Sequence, residues 1–317
     1  MMRHEIFVTP RSLTEAPHPA VEAMIGHGVE IVYATAGKLP DEAELLRLVP
    51  DVTGWLAGVE PVSPAVIAAA SKLRVISRNG TGLDNLPLAD LKSRGIAVRT
   101  ADGANARGVA ELAIAMIFSA MRHLPFTDQG LKAGGWPRRR GIEFFGRTLG
   151  VIGCGAVGGE VARLASAMGA HVIAYDPARP ELGIDPKRFR WAEHEEIFRE
   201  ADILTLHCPP GRDGKRLIDR DMLKTVRPGL ILINTARASL VDEAALIEAL
   251  DERRVQTYCV DVFDPEPPAF PGLASRPDVI ATSHIGGYTE ESVNRATQMA
   301  VFNLLESLGF QQHELTA

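Results

Sequence analysis

Positive charge is in short supply in this chain. It carries 34 Lys plus Arg against 40 Asp plus Glu, a net charge of −6. A pI of about 5.9 removes the clustered basic surface that nucleic-acid phosphates require, and the single basic run, Arg138 to Arg140, is too short to restore it. Cysteine is scarce as well. Cys154, Cys208 and Cys259 form no CxxC pair and leave an odd count, which argues against a disulfide framework and against structural zinc. Each is expected to be a small buried residue, and no metal is expected. Long apolar runs are also missing. Leu112 to Met121 is about half the ~20 residues of a membrane span, and Ile6, Phe7 and Val8 fall short of the ~7–15-residue apolar centre of a signal peptide. These absences predict a cytoplasmic protein that meets neither membrane nor nucleic acid. No repeat of fixed period and no low-complexity stretch is present.

What is present is alternation. Short apolar, β-branched runs trade with longer stretches of helical period, the signature of βα units around a parallel sheet. The N-terminal part has strand-like runs at Ile6 to Thr9, Ile31 to Tyr33, Gly54 to Leu56, Arg74 to Ser77 and Ala97 to Arg99. Helical stretches separate them at Pro19 to Gly26, Asp41 to Leu48, Ser63 to Ala70 and Leu88 to Arg94. A long apolar helix, Ala104 to Arg122, leads into six more strands, at Leu149 to Ile152, Val172 to Tyr175, Ile203 to Leu206, Leu230 to Asn234, Tyr258 to Val260 and Val279 to Ala281. With 317 residues and roughly 150 residues per domain, the pattern predicts an α/β protein of two doubly wound parallel-sheet domains. The expected division is a discontinuous first domain, 1–102 plus 288–317, and a dinucleotide-binding domain, 103–287. The last helical stretch, Thr289 to Leu308, suits either domain by pattern and is assigned to the first.

Leu149 to Val161 reads L-G-V-I-G-C-G-A-V-G-G-E-V, which spaces Gly153, Gly155 and Gly158 as GxGxxG between a strand and a helix that opens at Ala156 and Val157. The glycines serve a tight turn, close approach of backbone to a pyrophosphate, and close packing of helix on strand, while the helix start offers free N–H groups. The following strand ends at Asp176, where a carboxylate accepts hydrogen bonds from a ribose diol. The expected cofactor is NAD. The Asp176 charge repels the 2′-phosphate of NADP, and Arg179 softens that preference.

Oxidising a hydroxy acid also needs a proton acceptor, a group that tunes it, and a cation for the carboxylate. His284 in T-S-H-I-G-G, Glu266 in D-V-F-D-P-E-P and Arg237 in N-T-A-R follow sheet strands at their C-terminal ends, the edge where α/β proteins bind ligands. With these motifs at this spacing, the chain resembles the D-isomer specific 2-hydroxyacid dehydrogenases over essentially its whole length. The resemblance implies a flavodoxin-like substrate domain and a Rossmann NAD-binding domain. It implies that Arg237 holds and polarises a 2-oxo acid, that His284 is general acid in reduction and base in oxidation, and that Glu266 hydrogen-bonds the other imidazole nitrogen. It places His207 and Pro209 of L-H-C-P-P, with Thr235, Ala236, Asp261, Gly286 and Gly287, along the nicotinamide and its ribose; His207 at a strand end is equally a packing residue. In the first domain it implies a substrate site at Arg78, Asn79, Gly80, Thr81 and Gly82. The backbone N–H groups of that glycine turn suit a carboxylate, a plain turn being the alternative, and Asn105 lies nearby. A homodimer through the cofactor domain is also implied, with the apolar helix Ala104 to Arg122 as the expected source of contact surface.

Within the family the nearest likeness is to the phosphoglycerate dehydrogenases, through R-N-G-T-G-L-D-N and through G-G-W-P-R ahead of G-I-E-F-F-G-R-T-L-G. The loop after Leu56, A-G-V-E-P-V-S, lacks that subfamily's arginine, Thr100, Ala101 and Asp102 replace its Asn-Thr-Pro, and no regulatory domain follows the final helix, so a short form is expected. The expected function is NAD-dependent interconversion of a small anionic D-2-hydroxy acid and its 2-oxo acid, like that of 3-phosphoglycerate dehydrogenase. The alternatives are a hydroxypyruvate or glyoxylate reductase and, in another class, a non-catalytic NAD-sensing protein of co-repressor type.

Overall fold

Strands that are buried at every position are stable only where helices cover both faces of their sheet, and the central strands of this protein are of that kind. The computed structural model describes residues 4–16, 18–211 and 213–310; residues 1–3 and 311–317 of the expected first domain lie outside them. The chain divides into two units, Met1–Asn105 with Glu290–Ala317, and Ala106–Thr289.

The first unit runs β1 (His4–Val8), α1 (Arg11–Glu15), α2 (Pro19–Gly26), β2 (Val29–Tyr33), α3 (Glu42–Leu48), β3 (Gly54–Ala57), α4 (Pro64–Ala69), β4 (Val75–Arg78), α5 (Leu88–Ser93) and β5 (Ala97–Thr100). Its parallel sheet has the order β2-β1-β3-β4-β5, and β3 and β4 at its centre are buried throughout. Local chemistry sets the helix starts. Asp41 Oδ1 accepts the Glu44 N–H at 2.8 Å, and Ser63 Oγ accepts the Val66 N–H at 3.3 Å with Pro64 in the first turn. The five residues of α1 are too few to show a helical period, which is why the pattern passed over them.

The second unit runs α6 (Ala106–Arg122), α7 (Leu124–Lys132), β6 (Thr148–Ile152), α8 (Ala156–Ala167), β7 (His171–Tyr175), β8 (Phe189–Trp191), α9 (His194–Glu200), β9 (Ile203–Leu206), α10 (Arg220–Thr225), β10 (Leu230–Asn234), α11 (Glu243–Asp251), β11 (Val255–Val260) and β12 (Val279–Ala281). Its sheet has seven parallel strands, β12-β11-β10-β9-β6-β7-β8, where six were expected. The addition is the edge strand β8, three residues that include Arg190, held by register with Val172, Ile173 and Ala174 of β7 rather than by any apolar run of its own.

Helix α12 (Glu290–Leu308) returns to the first unit, where Ala300, Leu304, Leu305 and Leu308 pack with Ile6, Val8, Leu56 and Val75. Buried Ser77 donates its hydroxyl to the Ala300 carbonyl at 2.7 Å, and Asn303 Nδ2 donates to the Thr100 carbonyl at 3.0 Å.

Helix α6 turns Met116, Ile117, Ala120 and Met121 into the core with Leu149, Val151 and Val172, and leaves Leu112, Ile114 and Phe118 partly exposed. The exposed apolar side chains follow it, on α7 and the segment after: Leu124 (52%), Leu131 (53%), Trp136 (82%) and Phe145 (71%). Among the described residues no single helix is long and apolar enough to cross a membrane. Cys154 and Cys259 are buried and Cys208 half-buried, all three as free thiols; burial pushes the Cys154 thiol up to about 12 and that of Cys208 to about 11.

Candidate active site

Parallel strands deliver their C-terminal ends to one edge of a sheet. In the second unit the strand order arranges along that edge His284 after β12, Asp261 and Glu266 after β11, Arg237 after β10, His207 after β9, the glycine turn after β6 and Asp176 after β7. At ~4.8 Å per strand the row is roughly 24 Å long.

Two glycines of the turn admit no side chain. Gly153 holds a φ of 87°, and a Cβ there would lie 2.7 Å from the His207 backbone; a Cβ on Gly158 would lie 1.8 Å from the Gly153 carbonyl oxygen. Gly155 is the N-cap of α8, has open space at its Cβ position and supplies no side-chain cap. The first N–H groups of α8, from Ala156 and Val157 onward, therefore suit an anion from outside the helix. Asp176 is aimed at this turn, its Oδ2 accepting the Cys154 N–H and its Oδ1 the Ala178 N–H, both at 2.8 Å; each oxygen keeps a lone pair for a further donor. Arg179 is paired with Glu193 at 2.6 Å. His207 is half-buried at the end of β9. Burial pushes its imidazole down to about 3, its Nε2 meets Thr205 Oγ1 at 2.8 Å, and its Cβ lies 3.1 Å from the Cβ position of Gly158. Thr235 Oγ1 is buried with no hydrogen-bond partner among the described residues, while Pro209 is exposed. A tight turn with glycine at 153, 155 and 158, a helix start with no side-chain cap, a carboxylate at the ribose position and a buried hydroxyl without a partner among the described residues fit a dinucleotide.

Toward β12 the chemistry changes. His284 Nδ1 lies 2.9 and 3.0 Å from the two carboxylate oxygens of Glu266, and Glu266 Oε1 also accepts the Phe263 N–H at 2.9 Å. A carboxylate only accepts, so Nδ1 carries the hydrogen and Nε2 is the nitrogen left for another partner. The imidazole is about half exposed. His284 holds a left-handed φ of 56°, rare for a residue with a side chain. Arg237 begins the short helical turn Ala238–Leu240 after β10, and its Nη1 donates to the Ala236 carbonyl at 2.7 Å. Asp261, expected along the cofactor, is 1% exposed and spends its oxygens on the His284 loop, accepting from the Ile285 and Gly286 N–H groups at 2.8 Å each. Gly286 thus commits its amide to Asp261, and half-buried Gly287 follows it. Sequence reasoning passed over Asn234 and Thr282, which hydrogen-bond within this edge; the available signal was an amide three residues before an arginine, the spacing of a side-chain-closed turn.

The first unit carries the expected substrate turn. Arg78 ends β4 at 7% exposure, and its Nη1 donates to the Asn79 carbonyl at 3.2 Å. Gly80, at φ 147°, donates its N–H to the Arg78 carbonyl at 2.9 Å. Of the three amides expected to face an anion, that of Gly80 is therefore spent within a three-residue turn, which leaves Thr81 and Gly82 for the role. Asn105 stands half-buried just before α6. Next to this turn lies an acid the sequence analysis did not single out. Glu60 is fully buried, its Oε1 accepting the Thr9 hydroxyl and the Gly58 N–H, its Oε2 without a partner among the described residues.

Residues 114–286 match the family model described as D-isomer specific 2-hydroxyacid dehydrogenase, NAD binding domain. A hydroxypyruvate reductase of Thermotoga maritima is 35% identical over 275 residues, covering 85% of this chain and 89% of that enzyme. A D-3-phosphoglycerate dehydrogenase of Mycobacterium tuberculosis is 36% identical over 286 residues, covering 88% of this chain and 53% of the relative, so the chain spans about half of that protein. The crystal structure of the TT0316 protein from Thermus thermophilus superposes with a TM-score of 0.85 at 31% identity over 96% of both chains. Strand order, glycine turn and sequence similarity agree: the chain belongs to the D-isomer specific 2-hydroxyacid dehydrogenase family, and its second unit is that family's NAD-binding domain.

Proposed function

We propose that the protein interconverts a small D-2-hydroxy acid and its 2-oxo acid, with His284 as the acid–base group. The observation that carries this is the bond from His284 Nδ1 to Glu266, which orients the ring and leaves Nε2 to exchange a proton with the reacting oxygen. Bound NAD supplies the hydride acceptor, or as NADH the donor. Arg237 pairs with the substrate carboxylate and polarises the carbonyl. In reduction Nε2 gives its proton to the carbonyl oxygen, and Glu266 stabilises the charge the ring carries before it does so. In oxidation the proton returns to Nε2. In the first unit, the turn with Arg78, Asn79, Thr81 and Gly82, and Asn105 with it, is the segment proposed to bind a carboxylate. The N–H groups of Ala156 and Val157 hold the pyrophosphate, Asp176 the ribose, and Pro209, Thr235, Ala236, Asp261 and Gly287 border the nicotinamide side. The bond of Arg179 to Glu193 supports NAD over NADP.

Among three-carbon acids, the loop after β3 favours an unphosphorylated substrate such as hydroxypyruvate. A Cβ on Gly58 would lie 2.6 Å from Glu60 Oε2 and 3.0 Å from Pro10 Cα, so this strand end presents no cationic side chain there. The phosphoglycerate reading rests on Arg78. Comparing NADH oxidation with hydroxypyruvate and 3-phosphohydroxypyruvate decides between them; a preference of about 100-fold, ~2.7 kcal/mol, identifies the substrate class. His284→Ala is expected to lower kcat by about 10²–10⁴, and a loss under about tenfold sinks the acid–base role. A protein that turns over none of a panel of small 2-oxo acids while binding NADH is the non-catalytic sensor instead.

The exposed Leu124, Leu131, Trp136 and Phe145 support a homodimer through the cofactor domain, since large apolar side chains left in water are what an interface covers. Light scattering at micromolar concentration is expected to give twice the 34.2 kDa chain mass; a monomer overturns this. The acidic pI and the lack of a spanning helix among the described residues support a cytoplasmic enzyme with no membrane or nucleic-acid partner.

A further inference from the structure

The loop after β3, Ala57-Gly58-Val59-Glu60-Pro61, stands beside the expected substrate turn of the first unit, because β3 pairs with β4 and the Asn79 N–H donates to the Ala57 carbonyl at 2.9 Å. A loop at a strand end can offer an anion its backbone N–H groups; this one spends them inward. Glu60 folds back beneath its own loop and is fully buried. Its Oε1 accepts the Gly58 N–H at 3.0 Å and the Thr9 hydroxyl, and the carboxyl is bonded by its own backbone N–H as well. Pro61 has no N–H, and that of Val62 donates to the Asn85 carbonyl at 3.0 Å. Of the amides from 58 to 62, that of Val59 alone is left without a partner among the described residues, next to an apolar side chain that is 57% exposed. Asn85, from the same R-N-G-T-G-L-D-N segment as the turn, fixes the arrangement: its Nδ2 donates to the Glu60 carbonyl at 2.6 Å and to the Gly58 carbonyl at 3.3 Å. Among the described residues Arg78 is the charged group whose field bears on the Glu60 carboxyl. Its guanidinium lies against Gly80, with Nη1 3.4 Å from where a Cβ would stand. An anion at the turn and Glu60 therefore draw on the same cation.

We propose that Glu60 is a specificity-determining residue: by taking the amides of the loop after β3 and sharing Arg78, it leaves the first unit a site for one carboxylate and none for a phosphate. It thereby selects unphosphorylated 2-oxo acids. The inference rests on the reading of the Arg78–Gly82 turn as a carboxylate site. Gly58 belongs to the same device, since a Cβ there would lie 2.6 Å from Glu60 Oε2, so the folded-back acid and any side chain at 58 exclude each other. Specificity of this kind works by rejection, withholding donors from the wrong ligand rather than adding contacts to the right one.

The test compares the parent, Glu60→Ala and Glu60→Gln, reading kcat/KM with NADH for hydroxypyruvate and for 3-phosphohydroxypyruvate, and the affinity for inorganic phosphate by calorimetry with NADH saturating. The ratio between the two acids cancels any loss they share, so a merely structural role leaves it unmoved. Glu60→Ala frees the amides of Gly58 and residue 60 and leaves Arg78 to the substrate. Its preference for hydroxypyruvate is expected to fall by about tenfold, through KM for the phosphorylated acid, which is what one hydrogen bond to a charged group contributes. Phosphate is expected to bind it about tenfold more tightly than it binds the parent. Glu60→Gln keeps an acceptor for the amides while withdrawing the acid's claim on Arg78. A smaller fall, about threefold, is expected there, and this variant decides the matter if Glu60→Ala does not fold. An unchanged ratio with unchanged phosphate affinity overturns the inference, as does a parent that already prefers the phosphorylated acid. Failure of the underlying reading shows separately, as a parent that turns over neither acid, and the calorimetric comparison then still decides the role of Glu60.

Discussion

At the scale of the residue, hydrogen-bond inventory does most of the explaining. Because Glu266 can only accept, its bond to His284 Nδ1 determines that Nε2 faces the chemistry. Glu266→Gln keeps the shape and loses the charge, so steady-state assays are expected to show kcat down by about 10–100-fold with the NADH affinity unchanged; an unchanged kcat removes Glu266 from the mechanism. Arg237, Glu266 and His284 were legible in the sequence because each stands in a dense local motif. Glu60 and Asn234 were not. Their importance comes from burial and from partners on other strands, as with Thr9 of the strand-end loop after β1 bonding Glu60 in the loop after β3, and no local pattern encodes a partner some fifty positions away.

At the scale of the element, the glycine turn shows how sterics become binding. Gly158 packs α8 onto β6 so closely that even a methyl group would overlap the Gly153 carbonyl. Gly158→Ala is expected to abolish measurable NADH binding by fluorescence titration and to destabilise the fold by several kcal/mol, on the order of a core overpacking penalty or more. Retained affinity means that the turn can relax and that its geometry is not what holds the pyrophosphate. Elements with a strong period or a capped start were read from the sequence to within a few residues: α4 behind Ser63 and Pro64, and α3 behind Asp41, whose carboxylate accepts the Glu44 N–H. Those missed are α1, with five residues, β8, with three and held by its register with β7, and α7, which buries none of its side chains.

At the scale of the whole molecule, a buried acid links stability to pH. Glu60 loses its hydration on folding, which raises its carboxyl above the usual range, so the native state keeps a proton that the unfolded chain releases above roughly pH 4–5. The folded state binds the extra proton, so this contribution is present at low pH and is lost as pH rises from the unfolded value through the raised folded one. Glu60→Gln mimics the neutral acid. Thermal melts are expected to show the variant close to the parent at pH 5 and more stable than it at pH 8; parallel curves mean that the site accommodates the charge. The sequence by itself determined the fold class, the βα order, the dinucleotide turn and the proposed catalytic set, because periodicity, glycine spacing and motif are local properties that survive without a third dimension. Tertiary structure alone decided that Met116, Ile117, Ala120 and Met121 of α6 enter the core and that Asn234 and Asp261 join the strand ends. Those outcomes depend on which apolar faces meet and which buried donors find acceptors, and both are set by contacts between residues far apart in the chain.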